Sequence, residues 1–76
     1  MSTINKIIAF YETEYISAIN AVQNPIFKPE EVINNAIQRC LGIALFAQTL
    51  DDNISYEDID KEYEVIRKKL EKLLDK

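Results

Sequence analysis

Residues 54–74 read ISYEDIDKEYEVIRKKLEKLL, a helix whose start is written into its first six residues. Ser55 stands at the N-cap and Asp58 three residues later, an acid variant of the capping box, with Ile54 and Ile59 at the two positions of a hydrophobic staple. The Ser55 side chain is expected to cap the helix, so Ser55→Ala is expected to cost about 1 kcal/mol. Beyond that start, Ile59, Tyr63, Ile66, Leu70 and Leu73 step by four and three, which places them on one stripe of a helix with Tyr56 and Leu74 alongside. The other faces are almost entirely charged. Acids crowd the first half and bases (Arg67, Lys68, Lys69, Lys72, Lys76) the second, a gradient that complements the helix dipole. Glu64 and Lys68 form a favourable pair one turn apart. The expected helix covers about residues 55–75.

Upstream, Asp51-Asp52-Asn53 reads as a short polar turn, and before it a second helix is expected over residues 29–50. Pro29 suits the first helical position, where its missing N–H is no loss, and Glu30 and Glu31 follow in the first turn. Val32, Ala36, Ile43, Ala47 and Leu50 form one apolar face, flanked by Ile33, Cys40 and Phe46. Ile37, Leu41, Ala44 and Leu45 form a second face beside it, and the polar residues are squeezed into a narrow arc. A helix this apolar around its circumference is expected to be covered on more than one side. Gly42 lies in mid-helix at a cost of about 1 kcal/mol relative to Ala, so it either permits a close crossing or is tolerated on the polar arc.

The first helix is expected over residues 2–24, with Ile4, Ile8, Tyr11, Tyr15, Ala18 and Val22 on one stripe and Ile7 and Ile19 widening it. Ser2 or Thr3 supplies a cap, and Asn24-Pro25 ends it, since the residue before proline is pushed out of the helical region. Ile26 and Phe27 give the following connection two large apolar side chains, which are expected to fold down over an end of the core. Three amphipathic helices joined by short loops make an all-α, three-helix, up-down-up antiparallel bundle forming a single domain, 1–76. Both hands of that bundle fit the pattern.

Composition agrees. At 47% hydrophobic and 29% charged, the 76 residues are those of a globular chain. One Gly and two Pro are too few for the turns of hairpins and sandwiches. A net charge of −4 gives no general attraction to nucleic acid or anionic lipid. The single Cys excludes an internal disulfide. The longest uncharged apolar stretch, Cys40 to Leu50, falls far short of the ~20 residues that span a bilayer. The polar, aromatic start carries no signal-peptide pattern, so a cytoplasmic protein without membrane attachment is expected.

The chemistry-bearing residues are sparse. No His is present, and neither a Gly-rich phosphate loop nor a nucleophile elbow occurs, so the chain is expected not to be an enzyme and to need no cofactor. Asp51, Asn53, Ser55 and Glu62 fit four positions of a calcium-loop template, but Tyr56 stands where that loop needs Gly and Asp58 where it needs an aliphatic residue. Cys40 projects onto the apolar side of its helix as a small core residue. The tyrosines Tyr11, Tyr15, Tyr56 and Tyr63 sit on core stripes, ring in and hydroxyl out. The basic end of the third helix is interleaved with Glu71 and Asp75 and has no stacking platform, so nucleic acid is not expected as a partner. The segment 51–64 carries Asp51, Asp52, Glu57, Asp58, Asp60, Glu62 and Glu64 against Lys61 alone, a candidate docking patch for a basic partner or a weak ion site.

The surplus of apolar residues is the most informative feature. Ile37, Leu41, Ala44 and Leu45 on the second helix and Phe10 and Ile16 on the first lie off the main stripes and form a candidate self-interface. Small domains often gain stability by oligomerising, so a two-fold homodimer is expected. The function expected is that of a small non-enzymatic interaction protein, an adaptor or regulator. The alternatives are a ligand- or ion-binding module using the acidic segment, or an immunity or inhibitor protein that binds one target.

Overall fold

A computed structural model describes residues 3–50 and 54–75 of the chain. Three helices follow one another: α1 (Thr3–Val22), α2 (Pro29–Leu50) and α3 (Tyr56–Lys72). Each packs on the other two in the expected up-down-up bundle, an elongated body of 42 × 19 × 16 Å. No strand occurs among the described residues.

α2 spans the expected residues 29–50, and the ends of α1 and α3 differ from expectation by a residue or more. α1 stops at Val22, before the position that Pro25 constrains. Asn24 then organises the exit. Its N–H donates to the Ala21 carbonyl at 3.1 Å, and its side-chain Oδ1 accepts from the Ile26 N–H at 3.0 Å. The Phe27 N–H donates to the Asn24 carbonyl at 3.2 Å. These local bonds set the course of the connection, and they send Ile26 and Phe27 outward. Ile26 is 83% exposed and Phe27 50%, so the loop does not cover the core as the sequence suggested. At the other end of the chain, Leu73, Leu74 and Asp75 donate to carbonyls three residues back, which tightens the last turn of α3 and ends the regular helix at Lys72.

Ser55 is the N-cap of α3 in backbone terms. Its φ of −77° and ψ of 131° are extended, and its carbonyl accepts the Ile59 N–H at 3.1 Å. Its side chain makes no capping hydrogen bond, so the helix start rests on Glu57 and Asp58 in the first turn and on the apolar pair. Ile59 is fully buried and Ile54 packs on the core. The ~1 kcal/mol attached to a Ser55 cap therefore does not apply here. The candidate cap at Ser2 lies outside the described residues.

The core is built from Ile7, Tyr11 and Ala18 of α1, Ile33, Ala36, Cys40, Ala44 and Ala47 of α2, and Ile59, Ile66 and Leu70 of α3. On α3 the expected stripe holds. On α1 the buried line passes through Ile7, while Ile8 is half-buried. The largest change is on α2. Its innermost line runs through Ile33, Ala36, Cys40, Ala44 and Ala47, with Val32, Ile37 and Ile43 partly buried beside it. The sequence pattern had assigned Ile33 and Cys40 to a flank and Ala44 to a second face. α2 packs against both α1 and α3, and small side chains along its centre let both neighbours approach.

Gly42 takes no part in a crossing. A Cβ added there meets nothing within 4 Å, and its backbone is ordinary helix. Gly42→Ala should therefore raise stability by about 1 kcal/mol. The urea midpoint checks this, and an unchanged or lower midpoint would contradict an open helical site.

Candidate interaction surfaces

The six residues of the expected self-interface do not share one face. Ala44 is 4% exposed and belongs to the core, because α2 is rotated so that its small residues point inward. It is not available to any partner in this fold. Ile37, Leu41 and Leu45 follow one another by full turns along one flank of α2 and rise out of the core in order. Ile37 packs on it, Leu41 is half-buried, and Leu45 is 54% exposed. Phe10 lies elsewhere, half-buried between α1 and the opposite flank of α2. Ile16, 59% exposed, stands about 140° around α1 from the buried Tyr11 and faces outward.

A different arrangement emerges between α1 and α2. Thr3, Lys6, Ile7 and Phe10 on one side and Ile43, Phe46 and Ala47 on the other enclose a groove of about 250 Å³. Its wall is almost wholly apolar. Ile7 and Ala47 belong to the core and make its floor. The Phe10 ring stands edge-on to Tyr11, with centroids 6.4 Å apart. Phe46 is 59% exposed and stands beside the opening. The sequence pattern had grouped Phe46 with the flank of a buried face. Its angle gives it away once Cys40 is known to be innermost, since six residues on it lies about 120° off that line.

Two further concavities are charged. Between α1 and α3, Ile8, Tyr11, Glu12, Glu62, Val65, Ile66 and Lys69 line a recess of about 200 Å³. Lys69 lies with its Nζ 4.5 Å from the centre of the Tyr15 ring, a cation–π contact that ties α3 to α1. At the start of α2, Lys28, Pro29, Glu30 and Glu31 form another recess with Leu74.

The acidic patch is only partly a free surface. Glu57, Asp58 and Asp60 are exposed on the first turns of α3, beside Tyr56 at 65% exposure. Glu62 and Glu64 are half-buried. Arg67 hydrogen-bonds Glu64, which holds that carboxyl below its ordinary value, and also reaches Glu71 at 3.1 Å. Asp51 and Asp52 lie outside the described residues. No group of three or more His, Cys, Asp or Glu is placed to hold a metal ion among the described residues.

Cys40 and Tyr11 are engaged inside the bundle. The Tyr11 hydroxyl donates to the Cys40 carbonyl at 3.3 Å and links α1 to α2. Burial, with the nearby Glu14 carboxylate, pushes the Cys40 thiol up to about 11. Burial also raises Tyr11 well above its ordinary value. A thiol held protonated and 0% exposed is not a nucleophile at neutral pH. On the rim, Arg39 Nε meets Glu14 Oε1 at 2.7 Å, a surface pair between α1 and α2. No described helix is long and apolar enough to cross a membrane. No family model, curated protein or solved structure matches this chain.

Proposed function

We propose that this chain is a small non-enzymatic interaction protein that works through its helical surfaces as a homodimer. The supporting observation is its surplus of exposed surface. A compact monomer of 8.8 kDa exposes about 4,800 Å². This chain exposes 5423 Å², a surplus on the order of 600 Å². Ile16, Leu45 and Phe46 are each more than half exposed. A standard protein interface covers about 800 Å² of each partner, the area that a second copy would have to cover.

The molar mass in solution, followed by light scattering over a range of concentrations, tests this. A rise toward twice 8.8 kDa is expected. A single-chain mass at every concentration would refute it.

The exposed Tyr56 among Glu57, Asp58 and Asp60 favours a second partner of another kind, a basic protein held at the start of α3. Such binding would weaken steeply with added salt.

A further inference from the structure

We propose that the α1–α2 groove is the place where two copies of this chain meet, each Phe46 seated against Phe10 in the groove of the other. This rests on homodimerisation and names its surface.

Two observations point to this groove. Phe46 is a large exposed side chain at the edge of an apolar recess on its own molecule. A two-fold axis brings identical patches together, so one patch that carries both a projecting ring and a recess to receive it is self-complementary. Such a contact closes at two copies.

Charge is compatible with the same face. Each copy carries a net −4, so two copies repel unless they meet where carboxylates are absent. No carboxylate lines the α1–α2 groove. The α1–α3 recess holds Glu12 and Glu62, and the recess at the start of α2 holds Glu30 and Glu31. Lys6 is the groove's charged residue, and it is exposed.

A second copy seated here must cover about 600 Å² of each chain to reach the lower edge of the range for specific interfaces, with Phe46 and Phe10 at the centre. Aromatic side chains at the centre of such an interface carry most of its energy.

The test compares wild type, Phe46→Ser and Leu45→Ser by sedimentation equilibrium, with helicity followed by circular dichroism. Both substituted positions are exposed, so both variants should stay folded. Phe46→Ser is expected to weaken self-association about 30-fold, and Leu45→Ser less than about threefold. A dimer that Phe46→Ser leaves intact would overturn the groove while leaving homodimerisation standing. A dimer lost with Leu45→Ser alone would move the seam to the other flank of α2. Assemblies that grow beyond two copies would overturn the closed two-fold contact. A wild type that stays monomeric would overturn both this inference and homodimerisation.

Discussion

Leu70→Ala is expected to leave most of the chain unfolded at room temperature. Leu70 is 0% exposed and stands on α3 among the largest fully buried side chains. Truncating a leucine in such a site removes its transfer energy and leaves a cavity, a loss of about 3–5 kcal/mol. A single core of this size rarely supplies more than about 3–5 kcal/mol in all. The two magnitudes are alike, so one substitution is enough to remove the folded state. Leu45→Ala is the control. At 54% exposure Leu45 has much less to lose, and its cost to the folded chain should stay below about 1 kcal/mol. Urea titration of helicity separates the two. Both proteins must be compared at one concentration, because association of the folded chain adds to its apparent stability. A Leu70→Ala protein that melts within about 1 kcal/mol of wild type would mean that α3 is not seated on α2 and α1 as described.

Alkaline pH should destabilise the fold well before the chain is otherwise damaged. In the unfolded chain Cys40 loses its proton near 9.0, whereas in the bundle burial and Glu14 hold the proton to about 11. Between those values the folded state binds more protons than the unfolded one, so stability falls as pH rises. The contribution is fully present below pH 9 and is lost progressively toward pH 11. A shift of this size corresponds to about 2–3 kcal/mol. Tyr11 acts in the same direction from its ordinary value of 10.0 upward, because burial raises it too. Urea midpoints between pH 7 and pH 10.5 should therefore drop by a large part of the total stability, on the order of 2 kcal/mol. Cys40→Ala should be weaker at neutral pH, through its lost volume, and should fall less steeply between pH 9 and pH 10. If its profile runs parallel to that of wild type, the thiol is not the group that titrates.

That Leu70 is a core residue follows from the step of four and three through Ile59, Tyr63, Ile66, Leu70 and Leu73, and the bundle places it there. The same reasoning put Cys40 on the apolar side of α2 without making it the innermost residue. An apolar count ranks a helix face by its large side chains. α2 is pressed between two neighbours, and its innermost line carries the small Ala36, Cys40, Ala44 and Ala47 after Ile33. Thus Ala44, once grouped with a possible interface, is enclosed, and Phe46, once grouped with the core, stands exposed.

The connection after α1 teaches a similar lesson at shorter range. Ile26 and Phe27 are apolar, and apolar side chains favour burial. Yet the hydrogen bonds around Asn24 determine where the loop runs, and the side chains follow the backbone outward.

From the sequence alone come the three helices, the start of α2 at Pro29, the antiparallel order, and the stripe of α3. All of these depend on local spacing, on the conformational limits of proline and on short connections. The tertiary structure decided how far each helix is turned about its own axis. It thereby separated the expected self-interface into two flanks of α2 and the outer side of α1, and opened the groove that joins Phe10 to Phe46. Rotation is set by which side-chain volumes fit together when three helices close on one another, a property of all three stripes at once that no single stretch of chain contains.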